Sequence, residues 1–256
     1  MEIGIVFSGG AAKCIAQLGA LKALGKMGIK PDIISAVSGG ALVGVLYASG
    51  ISPDDSLDIV VKNGSFKFFF PSTKPGGLFT MSRIETAFNE ILPFKKFEEL
   101  KTPMIVNATD ILSGEAVYFS EGDFIKPIIA SASYPAIFEP VIIQGRTLLD
   151  GGITNNFPVE PLLQKCKKIV GVTVGKVYGM ERLGSMNRVI VRSLELAINE
   201  GDIHRFRHCD VLIEPKGLNM FGMFDSDKGR EIYKKGYEHT LAMAKEIERI
   251  ILPHSH

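Results

Sequence analysis

The chain has 256 residues, of which 46% are hydrophobic and 22% are charged, and its formal net charge is +1. This length and composition are typical of one large α/β domain or two small ones, and the near-neutral charge gives no electrostatic case for a nucleic-acid partner. No stretch approaches the roughly 18 apolar residues of a transmembrane helix. The chain begins Met1-Glu2 and leads into an apolar run without the basic segment of a signal peptide. We therefore expect a cytoplasmic protein.

The amino-terminal part predicts alternating strands and helices. Ile3–Phe7 is a short apolar run typical of a buried parallel strand. A glycine-rich turn follows it, and then a helix over about 14–27 that is capped by Gly28. A second strand is predicted over 32–37, followed by a helix over 40–48 that is apolar nearly all round. This order favours a parallel sheet with helices on both faces.

The rest of the chain continues in the same style, without repeats, charge blocks or linkers, so we expect a single domain over residues 1–256. The predicted helices are 53–61, 82–91, 124–132, 186–199 and 225–251; the predicted strands are 104–109, 116–119, 168–174 and 209–213, with a hairpin over 141–149. Loops 63–81 and 217–224 are rich in large apolar residues. The first is either a structural flap packed on the core or a mobile apolar lid over a cleft.

The cysteines and histidines show no pattern of a metal site. Cys14, Cys166 and Cys209 are odd in number, far apart and outside any CxxC pair, so we expect reduced thiols rather than disulfides or zinc ligands. No histidine precedes His204, and no DxDxDG calcium loop is present. We therefore expect neither a metal nor a cofactor, and a base other than histidine is attractive for any catalysis.

Ser38 lies at the turn between the second predicted strand and its helix and is followed by Gly39 and Gly40. Hydrolases of the α/β type place their nucleophilic serine at such a turn, although a small-residue turn can also be a packing device without chemistry. The Gly9-Gly10 turn ends the first strand. If the two strands are neighbours, both turns lie on one sheet edge, and the amides of the first turn lie beside the Ser38 hydroxyl.

Asp150 directly follows a predicted strand and precedes two glycines. An ionised carboxylate held there could accept the serine proton, although an Asp-Gly pair is also a common turn. The backbone amides of Gly9, Gly10 and Ala11 would then stabilise an oxyanion. Lys13 would steady this loop or hold an anionic group of the substrate, unless it is simply solvated at the start of a helix.

Four stretches resemble, in order, the motifs of the patatin-like phospholipase family, above all its small bacterial members. Residues 9–14 resemble the family's glycine-rich oxyanion loop, and residues 36–40 resemble its GxSxG nucleophile elbow. Residues 133–141 resemble its S-x-x-P-x-x-F-x-P-V segment, and residues 150–152 match its DG[GA] motif. Each motif alone is weak, but their common order makes the resemblance specific over residues 3–175.

This resemblance implies a three-layer α/β/α fold and a catalytic dyad of Ser38 and Asp150 without histidine. It further implies an acyl-enzyme intermediate and hydrolysis of fatty acyl esters of lipids, with a lipid or acyl ester and, transiently, a membrane surface as partners. Ala11, Cys14 and Ala36 replace glycines of the family pattern. The Ala11 amide can still serve if its φ is negative, the Ala36 methyl group adds bulk at a close approach, and Cys14 is expected to be packed rather than nucleophilic.

Two other functions stay open on the sequence. A glycine-rich loop after the first strand also cradles phosphates in nucleotide-binding proteins. However, the GxGxxG spacing is incomplete, and Val37-Ser38 stands where that motif would place an acidic residue. The replaced glycines also fit a catalytically weak or silent relative that binds lipid or a partner protein.

Overall fold

The computed structural model describes residues 1–63, 70–72, 76–175, 184 and 186–252. The strands are β1 (Ile3–Phe7), β2 (Ile33–Ala36), β3 (Phe70–Pro71), β4 (Gly77–Thr80), β5 (Met104–Asp110), β6 (Glu115–Phe119), β7 (Ala136–Phe138), β8 (Val141–Ile143), β9 (Arg146–Asp150), β10 (Lys168–Val172) and β11 (Val211–Ile213). The helices are α1 (Ile15–Lys26), α2 (Gly39–Ala48), α3 (Pro53–Asn63), α4 (Ser82–Ile91), α5 (Ile125–Ser131), α6 (Gly152–Asn155), α7 (Met186–Phe206), α8 (Gly229–Ala242) and α9 (Ala244–Ile251).

In the described part of the chain, five parallel strands form the centre of the main sheet, in the order β11-β10-β1-β2-β5. β6, β8 and β9 extend this sheet in antiparallel pairings. The sheet is therefore mostly parallel, as predicted. A second small sheet of β3, β4 and β7 was not predicted, because strands of two to four residues carry too short a pattern to be recognised.

β5 joins the parallel and antiparallel parts of the main sheet. Val106 of β5 pairs with both Ala36 of β2 and Phe119 of β6, so β2 and β6 lie along opposite edges of β5. Further along β5, Ala108 pairs with β6 on the β6 edge and with Asp150 of β9 on the other edge. β9 therefore shares the edge of β2. The two strands end towards each other at this point, which we call the β2/β9 junction.

Helices and loops cover both faces of the sheet. Phe7 of β1 packs in the larger core, which also receives side chains from α1, α2, α3, α5 and α8. Val6 points to the opposite face and packs in a smaller core beneath residues 157–166 and the end of α7. There the rings of Phe157 and Phe206 meet edge to face, with centroids 4.9 Å apart. The predicted three-layer α/β/α arrangement is thus confirmed.

Some predicted boundaries are wrong. α7 continues to Phe206 rather than ending at residue 199, and the partly buried Phe206 ring packs edge to face against Phe157. The final helix predicted over 225–251 is divided: a 3-10 turn at Ser226–Lys228 precedes α8, and the chain turns again at Met243 before α9.

Two further expectations concern the aromatic loop and the membrane. Residues 64–69 and 73–75 of the loop predicted over 63–81 lie outside the described residues, while Gly77–Thr80 forms β4. No helix among the described residues combines the length and hydropathy needed to cross a bilayer.

Candidate active site

Ser38 occupies the turn between β2 and α2 in a conformation that L-residues rarely adopt, with φ +54° and ψ −130°. Its N–H donates to Ser131 Oγ at 2.8 Å, and its own Oγ donates to Asp150 Oδ2 at 2.6 Å. The β2/β9 junction thus brings together two predicted site residues that are 112 positions apart. A serine on a strained strand-to-helix turn has the backbone geometry of a nucleophile elbow.

Close packing explains two other positions of this turn. A Cβ at Gly40 would lie 2.6 Å from the carbonyl oxygen of Ser8, so only glycine fits where α2 passes the end of β1. Ala36 is fully buried, and Gly44 of α2 lies opposite it. A Cβ built on Gly44 would lie 3.7 Å from the Ala36 Cβ. The missing side chain of Gly44 leaves room for the Ala36 methyl group, so this departure from the family pattern is accommodated.

Asp150 is the last residue of β9 and is only 4% exposed. While Oδ2 accepts the Ser38 hydroxyl, Oδ1 accepts the N–H of Gly152 at 2.8 Å. Thr109 of β5 donates its hydroxyl to the Asp150 backbone carbonyl at 2.9 Å. Both carboxylate oxygens and the backbone behind them are therefore held by hydrogen bonds, which fixes the carboxylate relative to Ser38.

Burial raises the pKa of Asp150 to about 7, and the hydrogen bonds from Ser38 and Gly152 only partly oppose this rise. Near neutral pH the carboxyl group is therefore divided between its ionised and neutral forms. A group that must first accept and later return a proton works best when its pKa lies near the working pH.

The loop after β1 borders the same site. The Gly9 N–H donates to the carbonyl oxygen of Asn156 at 3.2 Å, which removes Gly9 from the predicted oxyanion donors because its amide is engaged. Within the described residues, the N–H groups of Gly10 and Ala11 have no acceptor. Ala11 has φ +51°, so the condition of a negative φ for its amide to serve is not met. An L-residue adopts this conformation at a cost of about 1–2 kcal/mol, and the Ala11 N–H remains unengaged by any described residue in it.

Lys13 and Cys14 follow in the 3-10 turn Ala11–Cys14. Lys13 lines the same cavity as Ser38. Cys14 is fully buried, its Sγ donates to the carbonyl of Ser8 at 3.5 Å, and burial raises the pKa of its thiol far above the usual range. Cys14 is thus a packed residue, as predicted, and the three cysteines are free thiols.

A cavity of about 540 Å³ opens beside Ser38 and Asp150. Its walls differ in character. The wall from α2, α3 and α4 is apolar and consists of Leu42, Val43, Leu46, Ile59, Val60, Ile84, Ala87, Phe88 and Ile91. Polar side chains come from α7, from the segments before β7 and after α6, and from the stretch before α8, namely Tyr134, Asn156, Arg192, Glu195, Asn219 and Ser226.

The described histidines, His204, His208 and His239, do not line this cavity. Among the same described residues, no three His, Cys, Asp or Glu side chains form a group that could hold a metal ion.

Asn156 and α7 are the parts of the site that the sequence did not reveal. The backbone carbonyl of Asn156 accepts a hydrogen bond from the Gly9 N–H. The Asn156 side chain donates from Nδ2 to Oδ2 of the buried Asp202 at 2.9 Å. Burial raises the pKa of Asp202 to about 6. Asp202 lies beyond the predicted end of α7. The helical spacing from Ile198 through Asp202 to Phe206 is the signal that would have extended the helix.

The fold and the site define a class of three-layer α/β protein with a serine on a strained strand-to-helix turn, the position at which α/β-type hydrolases carry their nucleophile. Within that class, the family model for the patatin-like phospholipase matches residues 5–163. The chain belongs to the patatin-like phospholipase family, as its motifs predicted.

Curated relatives are similar over part of their length. An uncharacterized NTE family protein of Mycobacterium tuberculosis is 28% identical over 163 residues, which are 63% of this chain and 45% of that protein. Lysophospholipase NTE1 of Kluyveromyces lactis is 32% identical over 191 residues, covering 68% of this chain and 13% of the relative. The chain therefore spans less than half the length of the curated relatives named here.

Solved structures share the fold at low identity. VipD from Legionella pneumophila has a TM-score of 0.56 and 14% identity, and the match covers 96% of this chain and 67% of VipD. The human GIVD cytosolic phospholipase A2 has a TM-score of 0.57 and 11% identity, with 98% of this chain and 59% of that enzyme covered.

Proposed function

We propose that the protein is a serine acyl hydrolase that cleaves fatty acyl esters of lipids, with Ser38 as nucleophile and Asp150 as base. The observation that carries this proposal is the 2.6 Å hydrogen bond between Ser38 Oγ and Asp150 Oδ2 beside a largely apolar cavity. Family membership and the lysophospholipase relatives support a lipid ester as substrate.

In the acylation half-reaction, ionised Asp150 accepts the Ser38 proton as Oγ bonds to the ester carbonyl carbon. The carbonyl oxygen becomes an oxyanion, and the N–H groups of Gly10 and Ala11 would donate to it. The amino-terminus of α2 also favours negative charge at this point. The intermediate then expels the alcohol, which takes the proton from Asp150, and the acyl group stays on Ser38.

In the deacylation half-reaction, a water molecule attacks the acyl carbon and gives its proton to Asp150. The second tetrahedral intermediate breaks the bond to Ser38 Oγ, which recovers its proton from Asp150, and the fatty acid leaves. Asp150 is thus base and acid in turn, and neither half-reaction requires a histidine.

The apolar wall of α2, α3 and α4 provides the place for the acyl chain. Each methylene group that leaves water for such a wall contributes about 0.8 kcal/mol to binding. The chain would then lie along Leu46, Ile59 and Phe88, with its ester carbonyl at Ser38.

A fluorophosphonate probe tests the assignment of Ser38. The human GIVD cytosolic phospholipase A2 was solved with an inhibitor of this chemical class. We expect the probe to label the wild-type protein and Ser38→Ala to lose both labelling and ester hydrolysis. The control Ser193→Ala removes an exposed hydroxyl of α7 and should label normally. Persistent labelling of Ser38→Ala would overturn the assignment, and labelling without turnover of any ester would favour a catalytically weak relative.

A further inference from the structure

α7 lies outside the segment 5–163 that carries the family match, yet it forms one wall of the cavity. Arg192 and Glu195 of this helix line the cavity, and their Nη1 and Oε2 atoms are 3.4 Å apart. The side chain of Arg192 is 17% exposed and that of Glu195 is 40% exposed. α7 therefore presents one positive and one negative group to whatever occupies the cavity.

The cavity wall that α2, α3 and α4 form in the described part of the chain carries no charged side chain, whereas α7 carries two. Among the described lining residues, Arg192 and Glu195 are the charged groups besides Lys13 and Asp150. An ion pair between partly exposed side chains three positions apart on a helix is weak. A ligand with complementary charges can therefore replace the contact between the two side chains at little cost.

Tyr134 lines the same cavity as the Ser38–Asp150 pair and the charged face of α7. Its hydroxyl is buried and has no hydrogen-bond partner among the described residues. Burial raises the pKa of this hydroxyl, and the negative charges of Glu195 and Asp150 raise it further, so both carboxylates are within electrostatic reach. A buried hydroxyl without a partner is unfavourable until a polar group pairs with it. A ligand that extends from Ser38 towards α7 would supply that group.

We propose that Arg192 and Glu195, together with Tyr134 of the same cavity, form a headgroup subsite for a phospholipid with a zwitterionic headgroup. Arg192 binds the phosphate through its guanidinium fork, and Glu195 attracts the ammonium group. The Tyr134 hydroxyl pairs with an oxygen of the glycerol part. The subsite rests on the proposed function, since it assigns the headgroup to α7 and the acyl chain to the wall of α2, α3 and α4.

The test uses three single-chain esters with the same acyl group: lysophosphatidylcholine, lysophosphatidylglycerol and monoacylglycerol. We expect Arg192→Gln to lower kcat/KM for both phosphate-bearing lipids, relative to monoacylglycerol, by about tenfold or more, as for the loss of a charge-assisted hydrogen bond. Glu195→Gln should lower the choline-to-glycerol headgroup ratio about threefold or more, because only the choline lipid carries a cation.

Two exposed residues of α8 that do not line the cavity provide matched controls: Arg230→Gln and Glu238→Gln should leave both ratios unchanged. Unchanged ratios in Arg192→Gln and Glu195→Gln would overturn the subsite, even if all three esters are hydrolysed. Binding of non-hydrolysable ether analogues to a Ser38→Ala background gives the same two ratios without turnover. The subsite can therefore be judged even if the wild-type protein hydrolyses none of the esters, which would contradict the proposed function alone.

Discussion

Two physical effects compete at Asp150. Burial favours the neutral carboxyl group, while the hydrogen bonds from Ser38 and Gly152 favour the ionised one, and burial prevails to give a pKa of about 7. An aspartate in an unfolded chain has a pKa of about 3.9. Between these two values the folded protein binds more protons than the unfolded chain. The free energy of unfolding therefore falls as pH rises from about 4 to about 7.

Asp150→Asn should abolish turnover yet stabilise the protein at pH 8. The amide has no charge to desolvate, its oxygen can accept from Gly152, and its NH₂ group can donate to Ser38. We expect a gain of a few kcal/mol at pH 8 and little change below about pH 4, measured by urea unfolding at each pH. As a control, Asp58→Asn at an exposed ion pair with Arg230 should leave the free energy of unfolding nearly unchanged at both pH values. A loss of stability at pH 8 would contradict our account of Asp150.

Ser38 and Asp150 could be predicted because each is marked by a local pattern, an apolar strand that ends at a polar residue followed by glycines. The engagement of the Gly9 amide could not be predicted in the same way. It depends on the carbonyl of Asn156, and nothing in a sequence shows where a carbonyl 147 positions further on will point. The positive φ of Ala11 likewise could not be predicted, because an alanine ordinarily adopts a negative φ.

At the level of elements, α7 is tied to the site through one buried side chain. Asp202 is 2% exposed, and it accepts from Asn156, whose carbonyl in turn holds the Gly9 amide. This chain of hydrogen bonds connects α7 to the loop that carries the Gly10 and Ala11 amides. Asp202 is therefore a positioning residue that acts through Asn156.

We expect Asp202→Ala to lower kcat about tenfold or more, because the partly buried Asn156 side chain loses its acceptor and the loop loses its support. KM should change less, since Asp202 does not line the cavity. Asp202→Asn keeps an acceptor oxygen and should restore most of kcat. Steady-state measurements of kcat and KM for both variants, with Asp58→Ala as an exposed control, test this positioning role. An unchanged kcat in Asp202→Ala would contradict the positioning role.

The elements predicted from sequence were those with long or strongly apolar patterns, such as β1, α2 and β5. The prediction ended α7 at residue 199, whereas the helix continues to Phe206, whose ring packs on Phe157 from a distant segment. The small sheet of β3, β4 and β7 depends on pairings between distant short segments. Tertiary contacts, rather than local propensity, decide such elements.

At the level of the whole molecule, the site depends on the complete assembly of one sheet. The parallel part joins β1 to β10 and β11, which lie more than 160 positions further on, while β9 belongs to the antiparallel part. Among the described strands, β5 is the one that pairs with both β2 and β9. Pairings between residues this distant in sequence require the closure of long loops, which slows their formation.

Refolding from urea should therefore restore helical circular dichroism before it restores fluorophosphonate labelling. Helices form from local contacts, whereas the pair of Ser38 and Asp150 requires both β2 and β9 on β5. We expect the delay to lengthen in Gly145→Val, because Gly145 has φ +79° in the turn of the β8–β9 hairpin, which a branched residue disfavours. Recovery of both signals at one rate in both proteins would contradict this order of events.

The β2/β9 junction also determines when, during synthesis and folding, the protein could first attack the lipid esters of the cell. The serine belongs to the parallel part of the sheet, and its proton acceptor arrives from the antiparallel part on another strand. In a chain that is incompletely synthesised or only partly folded, Ser38 and Asp150 are not yet in contact. Under the proposed function, the capacity to attack ester bonds appears only in the finished molecule.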